Sequence, residues 1–235
     1  MMDITYDWQA GLAFLAILVA LVKLSKFLAM KVPVLRETRE LNKAEDRLKR
    51  AKDKYPPMIK ASQKAGLYTN TFFVFVVAPF FLTLQPQPVW KVLLDVFAIL
   101  MVYDFFYYLM HRFVFHGQGY FRRVHAVHHQ ARSPTSIDAL YVHPVETFMG
   151  VFLFLLVIVS LGLIMGPFNS VTLALTFLIY TQLNIINHWK IDIPYKPFKT
   201  LSWITAKHAV HHENMHKGNY ASITLLYDKL FGTLN

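Results

Sequence analysis

Five apolar stretches reach or approach the roughly 20 residues that a membrane-spanning helix needs. They are Trp8–Met30, Leu67–Leu84, Pro88–Met110, Val145–Met165 and Phe168–Asn187. The second is short and contains Pro79, so it is predicted to be kinked or only partly inserted. Gln85–Pro88 and Gly166–Asn169 are rich in turn-forming residues and read as the tips of helical hairpins. Between the first two stretches, Arg36–Tyr55 reads as a charged helix. Leu41, Ala44, Leu48, Ala51 and Tyr55 fall at spacings of three and four, a narrow apolar seam. Glu45 with Lys49 and Asp46 with Arg50 are spaced to pair along its surface.

Composition agrees with this pattern. The chain is 55% hydrophobic and only 16% charged, which sets the class as membrane-embedded. The formal charge of +10 does not imply nucleic acid, because the cations lie in loops between apolar spans. Of the 24 lysines and arginines, all but Lys91 fall within Lys23–Lys64, Arg112–Arg132 or Lys190–Lys229. The positive-inside rule places those regions in the cytoplasm and the N-terminus outside. The chain has no cysteine, so disulfides and thiolate-ligated metals are excluded. Acidic Asp3 and Asp7, followed by a long apolar run, predict a retained anchor rather than a cleaved signal.

The chemistry-bearing feature is histidine. Six of the eleven lie within Asp104–Glu146: His111 and His116 as H-x4-H, His125, His128 and His129 as H-x-x-H-H, and His143 in HPVE. A second H-x-x-H-H box holds His208, His211 and His212, and His188 stands between. On one helix, positions i, i+3 and i+4 share a face, so each box is predicted to converge three imidazoles on one point. Imidazole is the commonest protein ligand for transition metals. Nine rings exceed the demand of one metal and suit two. His111 and His116 stand roughly 140° apart on an ideal helix. Either the helix ends between them or each serves a different metal. Asp104 reads equally as a carboxylate orienting an imidazole and as a buried hydrogen-bonding residue. Pro144 makes capping as good a role for His143 as ligation, and His216 is a weaker candidate still. Satisfied interfacial histidines would explain a single ring, not this arrangement.

The succession of Asp104, His111-Arg-x-x-x-His116, the two boxes, His143-Pro-x-Glu146, Asn187-His188, Asn219-Tyr220 and Asp228-x-x-Phe231-Gly232-Thr233 resembles the fatty acid hydroxylase/sterol desaturase superfamily. These are integral-membrane, histidine-ligated di-iron oxygenases. The resemblance covers Asp104 to Thr233. It implies that His111, His116, His125, His128, His129, His188, His208, His211 and His212 ligate two iron ions, with O2 as co-substrate. Asn219–Tyr220 and Asp228–Gly232 would close the fold behind the second box. Three positions depart from the pattern: Asn184 stands where some members carry a further histidine, Ala221 replaces a usual glycine, and Tyr227 a common tryptophan.

The expected fold is therefore all-α: a multi-pass integral membrane protein with about four to five membrane helices and a cytoplasmic histidine-rich di-metal site. Residues 1–66 would form an anchor plus a basic helix, and residues 67–235 the catalytic domain. The expected activity is hydroxylation of a membrane lipid (acyl, alkyl or sterol-like), with desaturation as the nearest rival. A zinc hydrolase and a non-enzymatic metal-binding or transport protein are weaker alternatives. Asp104, Asp138, Glu146 and Asp228 are the candidate carboxylates behind the metal ligands. No segment resembles an electron carrier, so a separate donor of the cytochrome b5, ferredoxin or reductase type is expected, and Arg36–Tyr55 is a candidate docking helix. Compactness favours a bacterial inner membrane over the endoplasmic reticulum.

Overall fold

The computed structural model describes residues 5–235, so Asp3 lies outside the described residues. The described chain is mostly helical, with only two short strands. Helix α1 (Trp8–Lys31) begins where the Asp7 carboxylate caps the Ala10 amide at 2.8 Å. Pro33 and Pro56 sit in the first turns of α2 (Pro33–Arg50) and α3 (Tyr55–Phe72), where their missing N–H removes no helical bond. Helix α3 runs without a break across positions 66 and 67.

The second apolar stretch does not form a regular span. After Phe72 the helix widens to a π turn at Phe73–Val77 and tightens to a 3-10 turn at Ala78–Phe80, around Pro79. The short strand β1 (Leu82–Thr83) follows. Among the described residues three helices are long and apolar enough to cross a membrane: α1, α4 (Val89–Leu109) with its continuation to Phe115, and α6 (Pro144–Met165). Helix α7 (Ser170–Ile186) is shorter, at 17 residues.

One end of the bundle gathers the start of α1 and both hairpin tips. Strand β1 pairs in parallel with β2 (Phe168–Asn169), and the Asp7 amide donates to the Pro79 carbonyl at 2.9 Å. The Ser170 hydroxyl donates to the Ala10 carbonyl at 2.8 Å. From this end α4 and α7 both run toward the histidines at their far ends. Between them lies an aromatic core in which Phe154 stacks on Tyr180 and meets Tyr103 and Phe177 edge-on.

Helix α2 packs against the histidine-bearing segments through the face opposite its apolar seam. Leu41 and Leu48 are 53% and 72% exposed, whereas Asn42 is buried. Asn42 accepts from the Lys190 amide at 2.9 Å and donates to the Lys190 carbonyl at 3.1 Å. Asp46 accepts from Thr135, Ser136 and the Ile137 amide, and Lys49 donates to Asp138. The predicted pairs within the helix are thus replaced. Glu45 meets Lys190 at 2.5 Å, and Asp46 and Lys49 turn to the 133–138 loop. Loop backbone that leaves water needs polar partners, and an apolar seam offers none.

Candidate metal centre

Helix α4 ends its regular course at Leu109 and continues as a π turn over Met110–Phe115. The His116 amide donates to the His111 carbonyl at 2.9 Å, a bond spanning five residues. That wider turn brings positions i and i+5 to one side. His111 and His116 therefore reach the same cluster, settling the geometric conflict posed by their spacing.

The expected convergence of each box on one point is corrected. The nine imidazoles form two groups: His111, His116, His125, His129 and His211 in one, and His128, His188, His208 and His212 in the other. Within each group the ligand atoms lie within 4.8 Å of one another. The first box is not one helix. Helix α5 (Tyr120–His125) ends at its first histidine and a 3-10 turn carries the other two. The second box does lie on a regular helix, α8 (Lys199–Glu213). Both boxes nonetheless divide alike: the i and i+4 rings stay together and the i+3 ring joins the other group. On the regular helix α8 the 100° per-residue rotation makes i+3 diverge from i by about 60° on the opposite side from i+4. The groups adjoin, with the His129 and His212 rings stacked at 4.9 Å.

Much of the five-ring group is oriented by one loop. His116, His211 and His111 donate from Nδ1 to the carbonyls of Met215, Gly218 and Tyr220 at 2.7, 2.8 and 2.6 Å. Asn219 adopts a left-handed backbone, φ 66°, which asparagine tolerates better than most residues. Asp228 accepts from the Tyr220 and Ala221 amides, both at 2.8 Å, and fixes the loop. Gly218 is required, since a Cβ there would stand 1.7 Å from the Thr233 carbonyl oxygen. A sequence shows the Gly-Asn turn signal but not which carbonyls it aims.

Of the four candidate carboxylates, Glu146 is the one that bonds an imidazole, accepting from His125 Nδ1 at 2.7 Å. Such a carboxylate fixes the tautomer and strengthens the ring as a ligand. Asp104 takes its second reading. It accepts from the Ser222, Ile223 and Thr224 amides at 2.9, 2.8 and 3.0 Å and from the Thr224 hydroxyl. Asp138 holds the 135–138 turn to Lys49 and Tyr55. His143 caps α6, accepting from the Val145 amide at 3.2 Å, and belongs to neither group. His216 is exposed and also outside them. The Asn184 side chain donates to the Tyr180 carbonyl, while its own carbonyl accepts from His188 Nδ1 at 2.9 Å.

The donor set fits metal ions. A neutral imidazole carries one N–H, and where Nδ1 donates to an oxygen, Nε2 presents a lone pair. His111 and His211, both facing carbonyls, are in that state, yet their Nε2 atoms stand 3.2 Å apart. His188 Nε2 lies 3.1 Å from both His128 and His208. Lone pairs at that separation repel unless a cation lies among them, and about 3 Å is the edge of a polyhedron with metal–nitrogen bonds near 2.1 Å. Burial opposes protonation, lowering His116 to about 4 and His188 to about 3. The rings are therefore neutral, as ligation requires.

Beside the four-ring group is a cavity of about 250 Å3 lined by α4, α6 and α7, with Tyr103, Tyr107, Val151, Tyr180 and Ile185 in its wall and His128 and His188 at its edge. It is mainly apolar and lies between helices, so it suits an aliphatic ligand.

The family model described as fatty acid hydroxylase matches residues 96–233, more than half of the chain. Methylsterol monooxygenase 1 of Gallus gallus is 32% identical across 63% of this chain and 49% of its own. The same-named protein of Rattus norvegicus is 32% identical across 57% and 44%. A very-long-chain aldehyde decarbonylase of Oryza sativa is 32% identical across 63% and 55%. The chain thus spans about half the length of these relatives. All three are eukaryotic, which lends nothing to the bacterial placement expected from compactness. No solved structure matches the chain. On the family match and its histidine pattern, the chain belongs to the fatty acid hydroxylase family, within the fatty acid hydroxylase/sterol desaturase superfamily.

Proposed function

We propose that this chain is an O2-dependent di-iron oxygenase that hydroxylates a membrane lipid with an acyl, alkyl or sterol-like skeleton. The observation that carries the reading is the pair of adjoining all-imidazole groups, five rings and four, set against an apolar interhelical cavity. Two bound irons would supply the reduction of O2 and an oxidant able to attack an unactivated C–H bond. His111, His116, His125, His129 and His211 would hold one, and His128, His188, His208 and His212 the other.

The chain's own residues do the rest. Glu146 and the Met215, Gly218 and Tyr220 carbonyls keep Nδ1 protonated, so that Nε2 faces inward as a donor. Four imidazoles would leave a bound iron room for exchangeable ligands, and the cavity reaches this group at His128 and His188. Tyr103, Tyr107, Tyr180 and Val151 position an aliphatic segment there and exclude bulk water. The substrate tail is already dissolved in the bilayer, so entry between helices needs no passage through water. The site faces the cytoplasm by the distribution of lysine and arginine. Reducing equivalents come from a separate donor of the cytochrome b5, ferredoxin or reductase type.

Relatives named as monooxygenases support hydroxylation over desaturation. The decarbonylase relative makes product identity the deciding measurement. The test is an anaerobic ferrous titration of metal-stripped protein in detergent, then turnover with lipid extracts under 18O2. About two irons per chain and one 18O in an alcohol product are expected. One site or none, or a product without the label, would overturn the reading.

A further inference from the structure

A second opening approaches the histidines from another side. It is a cleft of about 700 Å3, and His129 of the five-ring group and His212 of the four-ring group both line it. Its wall carries Lys54, Arg122 and Arg132, with Glu213 as the single carboxylate. Lys54 and Arg132 are exposed. Among the described residues, none of the three cations is paired with a carboxylate. Lys54 is held in place by Gln130, to which it donates at 2.8 Å, and by the Tyr141 ring 5.6 Å away. His129 and His212 are buried, and no protein group bonds the outer nitrogen of either. Most other rings in the groups spend that nitrogen on a carbonyl or carboxylate.

The contrast with the interhelical cavity is chemical. That cavity is mainly apolar and meets His128 and His188, whereas this cleft is polar, cationic and meets His129 and His212. A lipid tail has no reason to enter it. An electron carrier does, because the stacked His129 and His212 rings, 4.9 Å apart, bring a ligand of each group to one surface. We propose that the cleft formed by Lys54, Arg122 and Arg132 over His129 and His212 is the docking site for a protein one-electron carrier with an acidic face. This rests on the oxygenase reading, which requires two electrons per turnover. Hydroxylation balances as R–H + O2 + 2 e− + 2 H+ giving R–OH + H2O. Each reduced carrier gives up one electron and leaves oxidised, so two dock in turn. Opposed charge speeds such encounters and makes them salt-dependent. The charged stretch Arg36–Tyr55, the docking surface first suggested by sequence, contributes Lys54 to this cleft.

Binding is measured first, on the full chain in detergent, because it needs no turnover. The probe is the soluble haem domain of a cytochrome b5, labelled for anisotropy, with basic cytochrome c as the control. At low salt the acidic carrier should bind and cytochrome c should not, with affinity falling at least tenfold on raising salt from 50 to 200 mM. Lys54→Glu with Arg132→Glu should weaken binding tenfold or more. Lys43→Glu with Arg47→Glu, an equal charge change on the outer face of α2, should change it less than twofold. Stopped-flow reoxidation of the reduced carrier should follow the same order. No binding to the wild-type chain, equal loss in both double variants, or direct reduction of the loaded protein by NADPH alone would overturn the proposal. Iron counted separately distinguishes these outcomes: two irons without carrier binding removes the docking site and leaves the oxygenase, whereas binding without iron removes the oxygenase.

Discussion

The two imidazole groups draw on the same two boxes, yet the protein holds them differently. In the five-ring group, four outer nitrogens end on fixed oxygens: three carbonyls of one loop and the Glu146 carboxylate. In the four-ring group, His188 bonds Asn184 at 2.9 Å, His128 reaches Tyr141 at a long 3.3 Å, and His212 has no protein partner. The first group is oriented by a dedicated shell. The second has fewer rings, looser support and the apolar cavity at its side. In metal enzymes, sites closed by protein ligands serve structure, and sites with open positions meet the substrate. On the oxygenase reading proposed above, that difference would put the reacting end of the lipid at the four-ring group.

Removing a ring from that group tests the contrast most severely. His128→Ala should abolish hydroxylation, by a thousandfold or more, and lower tight iron from two per chain to one, while membrane insertion is unchanged. Full activity in that variant would break the two-metal reading. Glu146→Gln acts on the other group through His125 and should reduce iron affinity or activity by roughly 10- to 100-fold, the usual cost of losing such a carboxylate. An unaltered iron titration would show that the five-ring group does not depend on its shell.

Acidification gives a smaller, graded effect. Burial lowers His116 to about 4 and His188 to about 3, below the unperturbed ~6.5. Between those values the unfolded chain binds protons that the folded chain does not, so stability is full above pH ~6.5 and declines as pH falls toward 4. Metal-stripped protein should therefore melt at a lower temperature at pH 5 than at pH 7.5, and iron should raise the melting temperature more at pH 7.5 than at pH 5, because protons compete with metal for the rings. Equal shifts with and without iron would argue against ligation by these histidines. The smallest effect is expected at His143, which only caps α6. His143→Ala should cost about 1 kcal/mol of stability and leave two irons per chain. Loss of an iron would return His143 to the ligand set.

Much of this was readable from local rules. Apolar runs marked α1, α4, α6 and α7, turn residues marked the tips, and a count of imidazoles called for two metals. Where alternatives depended on packing, the sequence left them open. Asp104 could orient a ring or bind backbone, and the structure joins it to the Ser222–Thr224 amides, more than a hundred residues away. His111 and His116 conflict on an ideal helix, and a π turn removes the conflict without changing a residue. The seam of α2 was legible as periodicity, but not which face packs on the protein: Asn42, Asp46 and Lys49, on the other face, had backbone of other segments to satisfy.

The sequence by itself determined the donor inventory, the membrane class and the main apolar helices, since these follow from side-chain chemistry and hydrophobic length. Only the tertiary structure decided how nine rings divide into five and four, which carbonyls and which carboxylate aim them, and which pair of rings meets each opening. Those outcomes turn on a few tens of degrees of helix rotation and on hydrogen bonds between distant segments, and no local pattern encodes either.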